Sequence, residues 1–242
     1  MANPPVSPKV SIVLPTYNGS RYLRESIQSC LDQEFQDWEL VIVDDASTDG
    51  TVAVANSYRN QVRLLSLSIA CGPPATRNQG LAITQGEFVA FLDADDLWHP
   101  EKLVTQAERF QRRPELDFCV SYVQMFWTET LHEEKVRYEQ CPRVQPVPGY
   151  ATTALLAKRS TFDRMGSFNE NYWYVHATDW FLRAIEEGLV MEVLPQVLTY
   201  HRMHESNLAR RENAANRDEF LNVMKASLDR RRHRQKSTSP MT

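Results

Sequence analysis

The chain has 242 residues, 42% hydrophobic and 24% charged, the balance of an ordinary globular protein rather than a fibrous or disordered one. A formal net charge of -4 argues against the broad basic field on which nucleic-acid binding relies. The length suits one α/β domain with a large core, or that domain with a short appendage.

Residues 1–9 hold three prolines and read as a loose leader. Met1-Ala2-Asn3-Pro4-Pro5 has no basic stretch followed by an apolar one, and no apolar run in the chain is long enough to span a bilayer, so neither a signal peptide nor a spanning helix is expected. The four cysteines, Cys30, Cys71, Cys119 and Cys141, lie far apart and form no CxxC pair, which predicts reduced thiols in a cytoplasmic setting.

Val10–Leu14 is a short apolar run, as a buried parallel strand should be. Pro15 ends it, Tyr17-Asn18-Gly19 is a turn, and Ser20 is placed to cap a helix. Leu23, Ile27, Cys30 and Leu31 then share one helical face. Glu39–Val43 is a second strand ending in Asp44-Asp45, and Ser47-Thr48-Asp49-Gly50 turns into a second helix. Val62–Leu67 is a third strand, Asn78–Thr84 a third helix, and Glu87–Leu92 a fourth strand closed by Asp93-Ala94-Asp95-Asp96. Pro100 starts a helix with Leu103, Ala107 and Phe110 on one face. Four alternations of strand and helix predict a doubly wound, mostly parallel sheet.

The remainder is less regular. Phe118–Trp127 reads as a strand, 128–148 as a polar connection and Thr152–Ala157 as an extended apolar segment. Asp179–Glu187 reads as a helix with Trp180, Phe181, Ala184 and Ile185 inward. Val190–Leu194 and Val197–Tyr200 read as two strands around Pro195. Residues 213–230 form an amphipathic helix with Phe220, Leu221, Met224 and Leu228 on one stripe. The basic run from Arg230 to Lys236 is either a solvated helix end or a weak peripheral hold on an anionic membrane surface.

Ligands of open α/β sheets bind outside the carboxyl ends of the strands. Three polar clusters fall there: Pro15-Thr16-Tyr17-Asn18, Asp44-Asp45 and Asp93-Ala94-Asp95-Asp96. The last places three carboxylates within four residues, which is costly unless a positive group sits among them. A hard cation such as Mg²⁺ or Mn²⁺ takes oxygen ligands and bridges carboxylates to phosphates. The bland reading is that these aspartates only close strand ends and cap helices. Neither GxxxxGK[ST] nor GxGxxG follows any strand, so phosphate binding would rest on metal and side chains rather than on a glycine cradle.

The stretches VSIVLPTYNGSRYLRESIQSCLDQEFQDWELVIVDDASTDGT, ATRNQGL, GEFVAFLDADDLWHPEKL, GSFNE and YHRMHESN, in this order over residues 10–207, resemble the family-2 glycosyltransferases of GT-A fold. The resemblance implies a GT-A domain at 10–210, with a nucleotide-binding half at 10–113 and an acceptor half at 114–210, followed by a helix and basic tail at 211–242. It implies that Pro15, Thr16 and Tyr17 line the nucleotide pocket, that Asp45 meets the base, usually uracil, and that Arg77 lies near the nucleotide. Asp93 and Asp95, flanking Ala94, match the DxD pair, with Asp93 toward the ribose and Asp95 on the metal. His204 would approach the diphosphate or the metal, and Arg202 could neutralise phosphate charge there. The implied donor is a UDP-sugar, the implied cofactor Mn²⁺ or Mg²⁺, and the implied acceptor a glycan or a lipid-linked or other hydroxyl compound, with inversion by direct displacement.

One position departs from the family pattern. The usual Glu-Asp-x-Asp with a following arginine reads here His176-Ala177-Thr178-Asp179, with Arg183. The base position therefore holds Ala177. Three readings follow: Asp179 acts as the base after a local shift, His176 acts instead, or the domain binds nucleotide sugar or a partner with little turnover. Asp179 is the residue carried forward as catalytic, against the plain alternative of a first-turn carboxylate that favours the helix dipole. A nucleotidyltransferase on a related fold ranks last, because LPTYNGSRYL lacks the glycine- and arginine-rich loop that would grip a triphosphate.

Overall fold

The structure, a computed structural model, describes residues 9–138, 144–210 and 214–238. The leader before Lys9, Cys141 and the last four residues of the tail lie outside the described residues. Strand β1 (Val10–Thr16) is buried along its whole length, because strands flank it on both edges. Helix α1 (Leu23–Leu31) leads from it to β2 (Trp38–Asp44), α2 (Thr51–Asn56) to β3 (Arg63–Ser66), and α3 (Pro73–Ile83) to β4 (Phe88–Phe91). These four strands are parallel in the order β3-β2-β1-β4. The chain steps outward from β1 to β3, then returns to the far side of β1. A crevice therefore opens between the carboxyl ends of β1 and β4, where this fold class places its ligands.

The sheet continues through the second half. Strand β5 (Leu97–Trp98) is followed by α4 (Lys102–Arg112), β6 (Phe118–Trp127), α5 (His132–Tyr138), β7 (Val147–Pro148), β8 (Leu155–Lys158), α6 (Arg159–Met165), α7 (His176–Glu186), β9 (Met191–Met203) and α8 (Ala214–Thr238). Past β4 the order is β8-β6-β9-β5, with β8 antiparallel to both β4 and β6 and β9 parallel to β6. This is a mixed α/β sheet, mostly parallel, flanked by helices, as the sequence predicts.

Alternate strand residues fill the two faces. Ile12, Leu14, Leu40, Ile42 and Leu92 pack with Ile27, Leu103 and Phe110 on one side. Val13, Val41, Val43, Val89 and Phe91 pack with Phe118, Phe162, Phe168 and a fully buried Trp180 on the other.

Several elements differ from expectation. Helix α3 begins at Pro73 rather than Asn78, because Pro73 and Pro74 fall in a first turn where their missing N–H groups cost no helical bond. Helix α1 has Tyr22 at its N-cap, and Ser20 instead donates its amide to Asp49 at 3.2 Å. The segment 128–148 contains α5 and β7 rather than only a connection. Within Thr152–Ala157, the first three residues form a 3-10 turn and only the rest are strand. The two strands around Pro195 are one strand, in which register shifts leave Pro195 and Gln196 bulged and exposed: Ser121 faces Leu194 while Tyr122 faces Val197. A proline has no N–H for the ladder, so a bulge accommodates it.

Ile185 is half-exposed, as are Phe220, Leu221, Met224 and Leu228. Helix α8 packs instead through Val223 and Ser227, and Arg230 and Arg234 turn back to Glu186 and Glu187. No described helix is long and apolar enough to cross a membrane.

Candidate functional site

The loops after β1 and β2 are stapled together at the mouth of the crevice. The Asn18 amide donates to Ser47 Oγ at 2.8 Å, the Thr48 amide to Asn18 Oδ1 at 2.9 Å, and the Gly19 amide to Thr51 Oγ1 at 2.9 Å. Asn18 and Ala46 both adopt positive φ, +48° and +60°, a conformation sparsely populated away from glycine and held here by the surrounding bonds. A Cβ at Gly19 would fall 2.5 Å from Thr16 Oγ1 and 3.3 Å from Ala94, so glycine is what lets the first loop reach the end of β4. Pro15 and Thr16 are buried at the end of β1, Tyr17 is exposed, and Thr16 Oγ1 is buried without a hydrogen-bond partner among the described residues.

Asp45 ends β2. Its Oδ1 accepts the amide of Cys71 at 2.8 Å, and its Oδ2 accepts that of Gly72 at 2.9 Å. The loop before α3 thus hangs on one carboxylate. Burial raises the pKa of the Cys71 thiol. From α3, Arg77 is 5% exposed, ion-paired with Asp93, and bonded to the carbonyl of Pro73 at 3.1 Å, while its Nε has no partner among the described residues.

The acidic cluster divides into three different environments. Asp93 faces Arg77. Asp95 Oδ2 lies 2.9 Å from His204 Nε2 and 3.5 Å from Asn207 Nδ2, with the Asp95 side chain one third exposed. Asp96 is buried and accepts the Arg202 amide at 3.0 Å, while Ser26 Oγ donates to its carbonyl at 2.8 Å. His201 Nδ1 lies 2.9 Å from the Asp96 carboxylate. That carboxylate lifts the His201 pKa to about 9, so the pair is an ion pair at neutral pH. Asp96 therefore ties the end of β4 to β9 and leaves Asp95 facing the crevice.

Arg202 is 6% exposed. Its Nε donates to the carbonyl of Asp95 at 2.8 Å and its Nη2 to Glu25 at 2.7 Å, and the guanidinium lies between the rings of Tyr22 and Phe126, 4.6 and 4.8 Å from their centroids. These contacts hold the backbone of the acidic loop from behind. Tyr22 also packs on His204, with centroids 4.8 Å apart. Sequence reasoning named Arg202 and His204 but missed Glu25, His201 and Asn207. The latter two sit in the same YHRMHESN stretch, while Glu25 is an ordinary helix glutamate until the fold brings it to Arg202.

Among the described residues, no three His, Cys, Asp or Glu side chains converge as a closed metal cage. The Asp95–His204 couple nonetheless fits a hard divalent ion of the kind held by one or two protein groups, with phosphate and water oxygens filling the remaining positions.

Asp179, in the first turn of α7, is 2% exposed. Its Oδ2 accepts Arg183 Nε at 2.8 Å, and its Oδ1 lies 3.9 Å from Arg230 of α8. Arg183 donates onward to the carbonyls of Met165 and Ser167, both at 2.9 Å. His176 is also buried, with Nδ1 3.2 Å from the carbonyl of Trp173. Burial, aided by the nearby Arg77 charge, lowers its pKa to about 3.

Known proteins resemble this chain in sequence and in fold. A teichuronic acid biosynthesis glycosyltransferase of Bacillus subtilis, TuaG, described as putative, is 39% identical over 109 residues, 44% of this chain and 43% of the relative. The chain spans about half the length of the curated relatives it matches. The crystal structure of Staphylococcus aureus TarS residues 1–349 with UDP-GlcNAc is similar at a TM-score of 0.74 and 22% identity, over 92% of this chain and 66% of that one. A mannosyltransferase of Pyrobaculum calidifontis, solved with GDP-Man and Mn²⁺, is similar at a TM-score of 0.63 and 20% identity, over 84% and 59%. The sequence model of Glycosyl transferase family 2 matches residues 11–183, well over half of the 242 residues, and this chain belongs to that family.

Proposed function

We propose that the protein transfers a sugar from a nucleoside diphosphate, UDP first among the candidates, to a hydroxyl of a growing polysaccharide or related glycan. The observation that carries this reading is the Asp95–His204 couple at the carboxyl end of β4, backed by Arg202 and flanked by the Arg77–Asp93 pair. The UDP-GlcNAc in the TarS structure and the Mn²⁺ in the mannosyltransferase support the donor and metal classes, and the name of the Bacillus relative supports the acceptor class.

Cleaving the sugar–phosphate bond puts negative charge on the departing diphosphate, which a bound divalent cation stabilises as a Lewis acid. Asp95 and His204 would hold that cation. Asp93, oriented by Arg77, would accept a ribose hydroxyl, and Asp45 would stand at the base end with the 71–72 amides. Thr16 Oγ1 and Arg77 Nε, both buried and without partners among the described residues, are polar atoms that a nucleotide would complete.

We read Asp179 as an anchor rather than as the proton acceptor, because Arg183 and Arg230 enclose its carboxylate. His176 is a poor alternative, since its depressed pKa makes it a weak base near neutrality. Calorimetry of UDP with and without Mn²⁺ tests the site, and a donor panel assayed for released UDP tests turnover. Heat of UDP binding that grows with Mn²⁺ supports the proposal. No binding under either condition ends it.

A further inference from the structure

We propose that Glu219 of α8, beyond the residues matched by the family, is a positioning residue for the donor pocket: it fastens the loop that sets Trp173 over Gly72. This rests on reading Asp45 and its loop as the nucleoside end of the pocket.

The segment 166–175 joins α6 to α7 through turns without helix or strand, so its shape depends on what its backbone bonds to. One end is tied to α3. Asn78 Nδ2 donates to the carbonyl of Phe168 at 2.9 Å, and the Phe168 amide returns a bond to Asn78 Oδ1 at 3.0 Å. The other end is tied to α8. The two carboxylate oxygens of Glu219 accept the successive amides of Trp173, at 3.1 Å, and Tyr174, at 2.8 Å. Charge-assisted bonds from one carboxylate to two backbone donors fix orientation as well as distance.

Between these anchors the Trp173 indole covers Gly72. A Cβ on Gly72 would fall 2.5 Å from ring atom Cζ3, and Gly72 has φ +88°. The Gly72 amide in turn donates to Asp45, and the carbonyl of Trp173 meets His176. One carboxylate on the last helix thus sets the outer wall of the pocket, while Ser227 and Arg230 bind the same helix to Glu186 of α7. The exposed part of Trp173 then presents an aromatic face at the mouth, a surface suited to a sugar or base ring.

Two readouts test this. Acrylamide quenching of tryptophan fluorescence, with Trp173→Phe used to subtract the other indoles, reports how firmly Trp173 is held. Calorimetry reports UDP affinity. In Glu219→Ala, Trp173 becomes more quenchable and the UDP Kd rises about tenfold, the scale of re-ordering a pocket segment on binding. Glu219→Gln, which keeps one acceptor oxygen, falls between. Ser227→Ala, which loosens α8 from Glu186 without touching the loop, leaves both readouts at wild-type values. Unchanged quenching in Glu219→Ala overturns the proposal, as does an equal loss of UDP affinity in Ser227→Ala. Should the wild-type protein bind no UDP, the nucleotide reading fails, and the quenching arm alone decides whether Glu219 holds the loop.

Discussion

The imidazole Nε2 of His204 and the carboxylate Oδ2 of Asp95 lie 2.9 Å apart although 109 residues separate them in the chain. Strand β9 brings them together, because Asp96 grips His201 and the Arg202 amide a few residues before His204. If the couple holds the cation, Asp95→Ala abolishes the Mn²⁺-dependent gain in UDP affinity, and His204→Ala reduces it about tenfold to a hundredfold. Metal-free UDP binding changes little in either variant. Calorimetric titrations at fixed UDP and varied Mn²⁺ check this, and an undiminished metal effect in Asp95→Ala counts against the assignment.

Asp179 separates an anchoring role from a chemical one. Removing it leaves Arg183 largely buried without its carboxylate, and breaking a buried pair by deleting one partner costs about 3 kcal/mol or more. Arg183 retains one fifth exposure, so the lower end of that range is expected here. Asp179→Asn should therefore lower the urea midpoint markedly, while turnover per folded molecule falls only modestly. Intact stability with turnover lost a thousandfold would instead restore Asp179 as the base.

The parallel half of the fold was legible because each buried strand is a continuous apolar run ending at a polar cluster, and Val10–Leu14, Glu39–Val43 and Glu87–Leu92 each lie within a residue or two of their strands. Boundaries failed where tertiary bonds override local signals. Ser20 has the chemistry of a cap but bonds Asp49, and Pro195 looks like a strand end yet is absorbed as a bulge. In the candidate site, Asp93 and Asp95 stood out through their spacing, and His204 only through the family resemblance of the YHRMHESN stretch. Glu25, His201 and Glu219 did not, because a carboxylate or imidazole that acts by gripping a distant backbone leaves no local pattern.

Ala177 stands in the first turn of α7, directly after His176 and partly exposed. An alanine has no group to take a proton, so the acceptor hydroxyl must be deprotonated without help from this position. A positioned general base contributes roughly a hundredfold to ten-thousandfold. Ala177 packs partly against the core of Phe168 and Trp180, at the position where the family pattern places its base. Ala177→Asp should raise transfer at least about tenfold over wild type, with donor KM nearly unchanged, if a carboxylate there reaches the acceptor hydroxyl. Transfer assays with the best donor of the panel read this directly, and an unchanged or lower rate would show that proton removal does not limit the wild-type enzyme from this position.

His176 gives the fold a pH dependence of defined sign. In the folded chain its pKa is lowered to about 3 by burial and by Arg77, whereas the unfolded chain titrates near 6.5. Between those values the unfolded state binds a proton that the folded state refuses. Stability contributed by the neutral imidazole is thus fully present above about pH 6.5 and is lost progressively as pH falls toward 3. Each tenfold change in proton affinity is worth about 1.4 kcal/mol, so lowering the pH from 7.5 to 5 removes about 2 kcal/mol through this residue. His176→Gln keeps a donor for the Trp173 carbonyl but does not titrate, so its urea-unfolding free energy should fall about 2 kcal/mol less over the same interval. Parallel losses in the two proteins would mean that the imidazole is reachable by water and takes up its proton in the folded chain.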